Sequence, residues 1–235
     1  VPSGMRVATW NTKWVASVHR AAITDTLLST NADVIVGTEI LDDLLPSYEH
    51  VVDAGTDWGY EVDDARRRKV AMWSRNPWSD VTTLDDTAPG GRLVAATTDA
   101  GDGPVRVIGV CIPWDRAHVH TGSKDRQRWD DHEAFLAALG ALINLQSLPT
   151  IVTGDFNQRI PRHGQPLPVF DALCAALGDL EVPTAGETDH GPLIDHVAHS
   201  ADLTATIADV ICPQRGDAKL SDHHGVVVDL TRRFR

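Results

Sequence analysis

Asn11, Glu39, Asp155, Asn157, Asp195, Asp222 and His223 are the side chains of this chain whose types and positions could do chemistry together. Each lies at the end or start of a short apolar run. Asn11 follows Val7-Ala8-Thr9-Trp10, and Glu39 follows Val34-Ile35-Val36-Gly37-Thr38. Asp155 and Asn157 follow Thr150-Ile151-Val152-Thr153-Gly154, and Asp195 follows Leu193-Ile194. Asp222-His223 precede the run from Gly225 to Leu230. If these ends converge, four carboxylates meet, and their pKa values must rise unless a cation neutralises them. An all-oxygen donor set with one imidazole favours Mg²⁺ or Mn²⁺ over zinc. Mg²⁺ keeps waters and usually binds through one or two carboxylates plus substrate phosphate oxygens, so the chemistry indicated is that of phosphate esters. Singly, each residue has an ordinary explanation: Gly-Asp-Phe-Asn is good turn chemistry, and a strand-end Glu or an Asp-His pair can be a solvated charge or a cap. Their joint occurrence and order carry the argument.

The elements that must position these residues are short. Runs of four to eight residues rich in Val, Ile and Thr recur at Arg6–Trp10, Val34–Thr38, Val70–Trp73, Leu93–Thr98, Val105–Cys111, Thr150–Thr153, Ile194–His199, Thr204–Ile211 and Val226–Leu230, the pattern of strands bounded by turn residues. That is more than one open sheet usually carries. Helical patterning is sparser. From Arg128, the residues Phe135, Leu136, Leu139, Leu142 and Ile143 form one apolar face, and Phe170, Leu173, Cys174 and Leu177 form a second. Val18 to Leu28 is a weaker third. The expectation is an α/β sandwich, two sheets face to face with helices outside them, whose active loops gather at one edge. No repeat or low-complexity linker interrupts the chain, so residues 1–235 are expected to form a single domain.

These motifs resemble those of the endonuclease/exonuclease/phosphatase superfamily, the DNase-I-like fold. The match is carried by Arg6-Val7-Ala8-Thr9-Trp10-Asn11, Ala32-Asp33-Val34-Ile35-Val36-Gly37-Thr38-Glu39, Thr153-Gly154-Asp155-Phe156-Asn157, Leu193-Ile194-Asp195-His196-Val197 and Ser221-Asp222-His223, in the family's order. The resemblance implies a four-layer α/β sandwich with two packed mixed β-sheets flanked by helices. It implies that Asn11, Glu39 and Asp222 hold the metal, and that Asp155 and Asn157 position or activate the attacking water. It implies that His223 stabilises the phosphoryl oxygens and that Asp195 orients this histidine. The activity implied is divalent-metal-dependent phosphodiester hydrolysis, most readily that of a nuclease. A phosphatase or phosphodiesterase acting on small-molecule or lipid phosphates is the alternative. A non-catalytic binding module on the same fold is a third reading, disfavoured because all seven residues are present.

Two departures bear on the substrate. Relatives often carry His or Tyr where Cys111 precedes Ile112-Pro113, and a thiol is a poor phosphate ligand. His118 and His120, a few residues on, could replace it, or could be surface loop histidines. Lys13 stands where some DNA-repair members have an acid, which removes a possible second metal contact and puts a cation near the phosphate. Arg116 and Arg126, with Lys124 and Arg128, flank the loop after Pro113 and could contact phosphates beyond the scissile one; Arg66 to Lys69 and the tail residues Arg232, Arg233 and Arg235 are further basic groups. Trp114 and Trp129 could stack on bases, Trp129 equally being a helix-core residue.

Composition sets the outer limits. With 42% apolar and 23% charged residues the chain is an ordinary globular one, not a disordered one. No run approaches about 18 consecutive apolar residues, so no membrane span is expected. Cys111, Cys174 and Cys212 are too scattered for a disulfide framework or zinc knuckle, which makes a cytoplasmic monomer the default. The chain opens on Val1 without an initiating Met, and a leader removed upstream would leave no trace. The net charge of −12 argues against a broad basic surface for polyanions. Because four of the acids are assigned to a cation site, it constrains affinity for nucleic acid more than it excludes nucleic acid.

Overall fold

The computed structural model describes residues 4–84 and 89–233; Arg235 of the basic tail lies outside the described residues. In chain order the strands are β1 (Met5–Asn11), β2 (Val34–Leu41), β3 (His50–Asp53), β4 (Arg67–Ser74), β5 (Ser79–Thr83), β6 (Leu93–Asp99), β7 (Pro104–Cys111), β8 (Thr150–Asp155), β9 (Glu187–Thr188), β10 (Gly191–Pro192), β11 (Asp195–His199), β12 (Leu203–Ile211), β13 (Gln214–Arg215), β14 (Ala218–Lys219) and β15 (Gly225–Arg232). The helices are α1 (Arg20–Ser29), α2 (Asp130–Asn144) and α3 (Leu167–Leu177).

Two large sheets form, ordered β12-β15-β1-β2-β4-β3 and β11-β8-β7-β6-β5. Each is built on one parallel pair, β1 with β2 and β7 with β8. A parallel pair needs a crossover, and α1 and α2 supply them. All other pairings within these sheets are antiparallel.

Period-two side chains sort the central strands into layers. Val7, Val34, Val36, Val70 and Met72 of the first sheet meet Val94, Val105, Val107, Ile151 and Val197 of the second, forming the core between the sheets. The alternate residues Ala8, Trp10, Ile35, Ala71 and Trp73 face outward against Ile23 and Leu27 of α1. On the far side Ala95, Ile108, Val110 and Val152 pack under Phe135, Leu136 and Leu139 of α2 and Leu173 of α3. The result is the expected four-layer sandwich. The strands that place the site are buried on both faces, which is why they read as continuous apolar runs. Among the described residues, no helix is long and apolar enough to cross a membrane.

Asp195 opens β11, within the expected run Ile194–His199. Antiparallel pairing with β8 sets Asp195 opposite Asp155, so the start of one strand meets the end of the other. The same reversal brings His223, just before β15, to the end of β1.

Gly154 fixes the approach to Asp155. Its φ is +140°, and a Cβ there would lie 1.9 Å from the carbonyl oxygen of Val110. Backbone conformation and space both demand glycine in this parallel pair. Gly154→Ala is expected to cost about 3 kcal/mol or more, read in a thermal melt as a drop of roughly 6–12 °C; an unchanged melt would show that β7 and β8 do not approach as described.

Candidate active site

Asn11, the last residue of β1, joins the two sheets. Its backbone N–H donates to Asp195 Oδ2 at 2.6 Å, and its side-chain Nδ2 donates to Asp155 Oδ2 at 2.9 Å. Its Oδ1 accepts from the Lys13 backbone N–H at 2.9 Å, which leaves one lone pair of that oxygen. Asp155 Oδ1 accepts the Asn157 backbone N–H at 2.8 Å, an Asx-type turn. Asn157 Nδ2 reaches both Asp155 Oδ2, at 3.1 Å, and the Ile112 carbonyl, at 2.8 Å. His223 Nδ1 lies 2.8 Å from Asp195 Oδ1. Ligand-capable atoms of Asp155, Asp195 and His223 all fall within 4.8 Å of one another.

Two residues without an assigned role complete this frame. Ser221 Oγ donates to the Asn11 carbonyl at 2.6 Å and accepts the His223 backbone N–H at 3.2 Å. Trp10 Nε1 donates to the His223 carbonyl at 2.8 Å. Ser221 sits two residues before His223, the spacing of a side-chain-capped turn, and that was the available signal.

Burial and charge tune the cluster. Asp155 is held well above the usual carboxylate range, chiefly because burial disfavours its charge and secondly because Asp195 is adjacent. Burial alone would push His223 down. The hydrogen bond and charge of Asp195, helped by Asp155 and Asp222, outweigh it and raise the imidazole to about 9, so it is a cation at neutral pH.

Glu39 and Asp222 lie outside this cluster, each bonded to a lysine. Lys69 Nζ donates to Glu39 Oε1 at 2.7 Å, and Lys13 Nζ donates to Asp222 Oδ2 at 2.6 Å. Burial raises the Asp222 carboxyl, but the Lys13 bond and the charges of His223 and Lys13 bring it below the usual range. Lys13 is raised mainly by the hydrogen bond and charge of Asp222, and the charge of Glu39 adds to it.

The remaining expected contacts are not drawn into the cluster. His118 is buried in its own loop, with Nε2 3.2 Å from the Trp58 carbonyl and Nδ1 3.1 Å from Ser123 Oγ. Arg126 pairs with Asp131 at 2.9 Å and Asp125 at 3.0 Å, and Arg116 lies 3.8 Å from Asp115. His120 is exposed, with no side-chain partner among the described residues. Cys111 is buried, and burial pushes its thiol up to about 12, so it remains a neutral packing group. Trp129 caps α2 in a left-handed conformation and packs edge-on against His132.

The two shifts act on stability in the same direction. His223 has a folded pKa above its ordinary 6.5, so its stabilising contribution is complete below 6.5 and is lost as pH rises through about 9. Asp155, raised above 3.8, opposes folding once pH climbs past its ordinary value and it must ionise in place. In chelator, the melting temperature is therefore expected to fall from pH 6 to pH 10, and the His223 imidazole to titrate near 9 by NMR. A His223 midpoint near 6.5 would remove its pairing with Asp195.

Comparison with known proteins places this geometry. The Endonuclease/Exonuclease/phosphatase family profile matches residues 8–223. No curated protein sequence matches the chain. Among solved structures, an endonuclease/exonuclease/phosphatase from Beutenbergia cavernae aligns over 98% of this chain and 72% of its own, with TM-score 0.64 and 19% identity. A 3'-5' exonuclease from Neisseria meningitidis aligns over 95% of this chain and 98% of its own, with TM-score 0.65 and 21% identity. Sphingomyelinase C from Streptomyces griseocarneus aligns over 96% and 99%, with TM-score 0.66 and 16% identity. At these identities the structures share the fold, and the profile match carries the family. The chain belongs to the Endonuclease/Exonuclease/phosphatase family, hydrolases that act on phosphoester bonds.

Proposed function

We propose that the protein is a divalent-metal-dependent phosphodiesterase whose substrate is nucleic acid. The observation that carries the reading is the hydrogen-bonded set of Asp155, Asn11, Asp195 and His223 at the meeting of the two sheets. A buried carboxylate with a raised pKa beside a cationic imidazole is an acid–base pair set for phosphoryl chemistry near neutral pH.

Glu39, Asp222 and the free lone pair of Asn11 Oδ1 would hold the cation. They fit a hard divalent ion, because the donors are all oxygens and each carboxylate already holds a cation, Lys69 on Glu39 and Lys13 on Asp222. Bound there, Mg²⁺ or Mn²⁺ would neutralise charge developing on the phosphoryl oxygens. Asp155, aimed by Asn11 and Asn157, takes the proton of the attacking water as its oxygen bonds to phosphorus. The bond from phosphorus to the leaving oxygen breaks, and that oxygen takes up a proton from solvent. His223 shares its Nδ1 proton with Asp195, so its Nε2–H is presented to a phosphoryl oxygen.

The nucleic-acid reading draws support from the aromatic residues around Trp114 and from the Neisseria exonuclease among the structural relatives. A second reading, hydrolysis of small or lipid phosphates, is favoured by one observation. Arg116, Arg126 and Arg128, the expected backbone contacts, are spent on Asp115, Asp125 and Asp131.

Asp155→Asn and His223→Ala are expected to lower turnover by about 10²–10⁴-fold with little loss of fold, and EDTA to abolish it. A panel of plasmid, single strands, abasic duplex, bis-nitrophenyl phosphate and inositol phosphates in Mg²⁺ and Mn²⁺ decides the substrate. Cleavage of small esters alone would favour the second reading, and full activity in either variant would end the assignment.

A further inference from the structure

We infer that the cavity beside the catalytic cluster is a subsite for one unpaired nucleobase next to the scissile phosphate. This rests on the nuclease reading above. The cavity measures about 360 Å³ and is walled by Trp14, Trp58, Tyr60 and Trp114. It borders the proposed cation-holding residue Glu39 on one side and, through Trp114, the cluster on the other. Lys69 lines it while bonding Glu39 Oε1, and the Trp14 backbone N–H donates to the Glu39 carbonyl at 2.6 Å. Trp114 follows Ile112-Pro113, and the Ile112 carbonyl holds the Asn157 side chain.

The lining chemistry selects a flat π-system attached to an anion. Trp14 and Trp58 are stacked, with centroids 5.7 Å apart at 28°. Trp114 is 44% exposed and makes no ring contact among the described residues, so its face is open. Unpaired bases stack on such faces with little sequence preference. Arg67 reaches to 5.4 Å from the Trp14 centroid and has no ion pair among the described residues, so its guanidinium is available to a phosphate. With Lys69 and Arg92 the cavity has three cations against one acid, Glu61.

Charge argues against the other ligand that aromatic walls commonly take. A quaternary ammonium needs open π-faces without competing cations. Here Lys69 lies 4.6 Å and Arg67 5.4 Å from the Trp14 centroid. Size argues against a duplex, because the volume lies at the small end of the roughly 300–1,000 Å³ range of ligand pockets. A base can enter only when it is free of its partner.

The test uses a fluorescein-labelled single-stranded oligonucleotide bound in chelator at low salt, beside a strand of the same length with abasic sites in place of bases. Cleavage in Mg²⁺ is followed separately. The protein is expected to bind the base-bearing strand at least about fivefold more tightly. Trp114→Ala is expected to erase that preference, and Trp114→Phe to retain most of it. Equal binding of the two strands, binding of neither, or a preference untouched by Trp114→Ala would overturn the subsite. So would displacement of the strand by phosphocholine at lower concentration than adenosine 5′-monophosphate. Base-dependent binding without cleavage would overturn the nuclease reading and leave the subsite; cleavage without base preference would do the reverse.

Discussion

The two hydrogen bonds from Asn11 to Asp195 and Asp155 are the constraint on which the rest of the site depends. Asn11 ends a strand of one sheet, and the two carboxylates belong to the other. Neither sheet alone can assemble the cluster. The sheets face each other through a core of Val, Ile and Met side chains, and their strand ends then coincide at one edge. Hydrophobic burial sets the sheets face to face, and the Asn11 bonds fix the position of the reacting groups.

The cost at this edge is repulsion. Two unit charges about 4 Å apart interact by about 4 kcal/mol at an effective dielectric near 20. A hydrogen bond to a charged group returns about 1.5–3 kcal/mol. Donors from Asn11 and Asn157 thus soften the Asp155–Asp195 repulsion without cancelling it; burial, the larger cause, and the repulsion that remains together hold Asp155 up. His223 is a half-buried cation beside these two acids. Lys13 and Lys69 play the same part for Asp222 and Glu39. The chain's net charge of −12 is thereby compensated where it matters, within a few ångströms of the chemistry.

The sequence made the central strands legible because β1, β2, β7, β8 and β15 are largely buried on both faces and carry short runs rich in Val, Ile, Ala and Thr. The exposed edge strand β5, Ser79–Thr83, carries no such pattern and was not foreseen; nor was β3, half polar and only partly buried. Asp195 was legible as a residue type near the start of the run Ile194–His199, but its place opposite Asp155 was not, since antiparallel pairing is a long-range fact. The partners of the site residues were the least legible. Nothing local to Arg66-Arg67-Arg68-Lys69 says that Arg67 and Lys69 lie over Trp14, with Lys69 also reaching Glu39, while Arg68 on the other face of β4 pairs with Asp42 and Asp53.

Backbone strain concentrates at the same edge and ties its two halves together. Lys13, Trp14 and Val15 have φ values of 48°, 67° and 47°, and Glu39 and Asn157 of 46° and 51°. A non-glycine residue there costs on the order of 1–3 kcal/mol and persists only when its surroundings over-determine it. The surroundings here are one carbonyl and its neighbours: the Glu39 oxygen accepts from Thr12 Oγ1 at 2.9 Å and from the Trp14 N–H at 2.6 Å, while Val15 N–H closes back on Thr12. The loop after β1 and the bend in β2 therefore move as one unit. Asn11, Lys13 and Glu39 on the cation side, and Trp14 on the aromatic side, share that unit. A change that relaxes the strain at Trp14 must shift Glu39 with it, so the aromatic cavity and the carboxylates cannot be tuned separately.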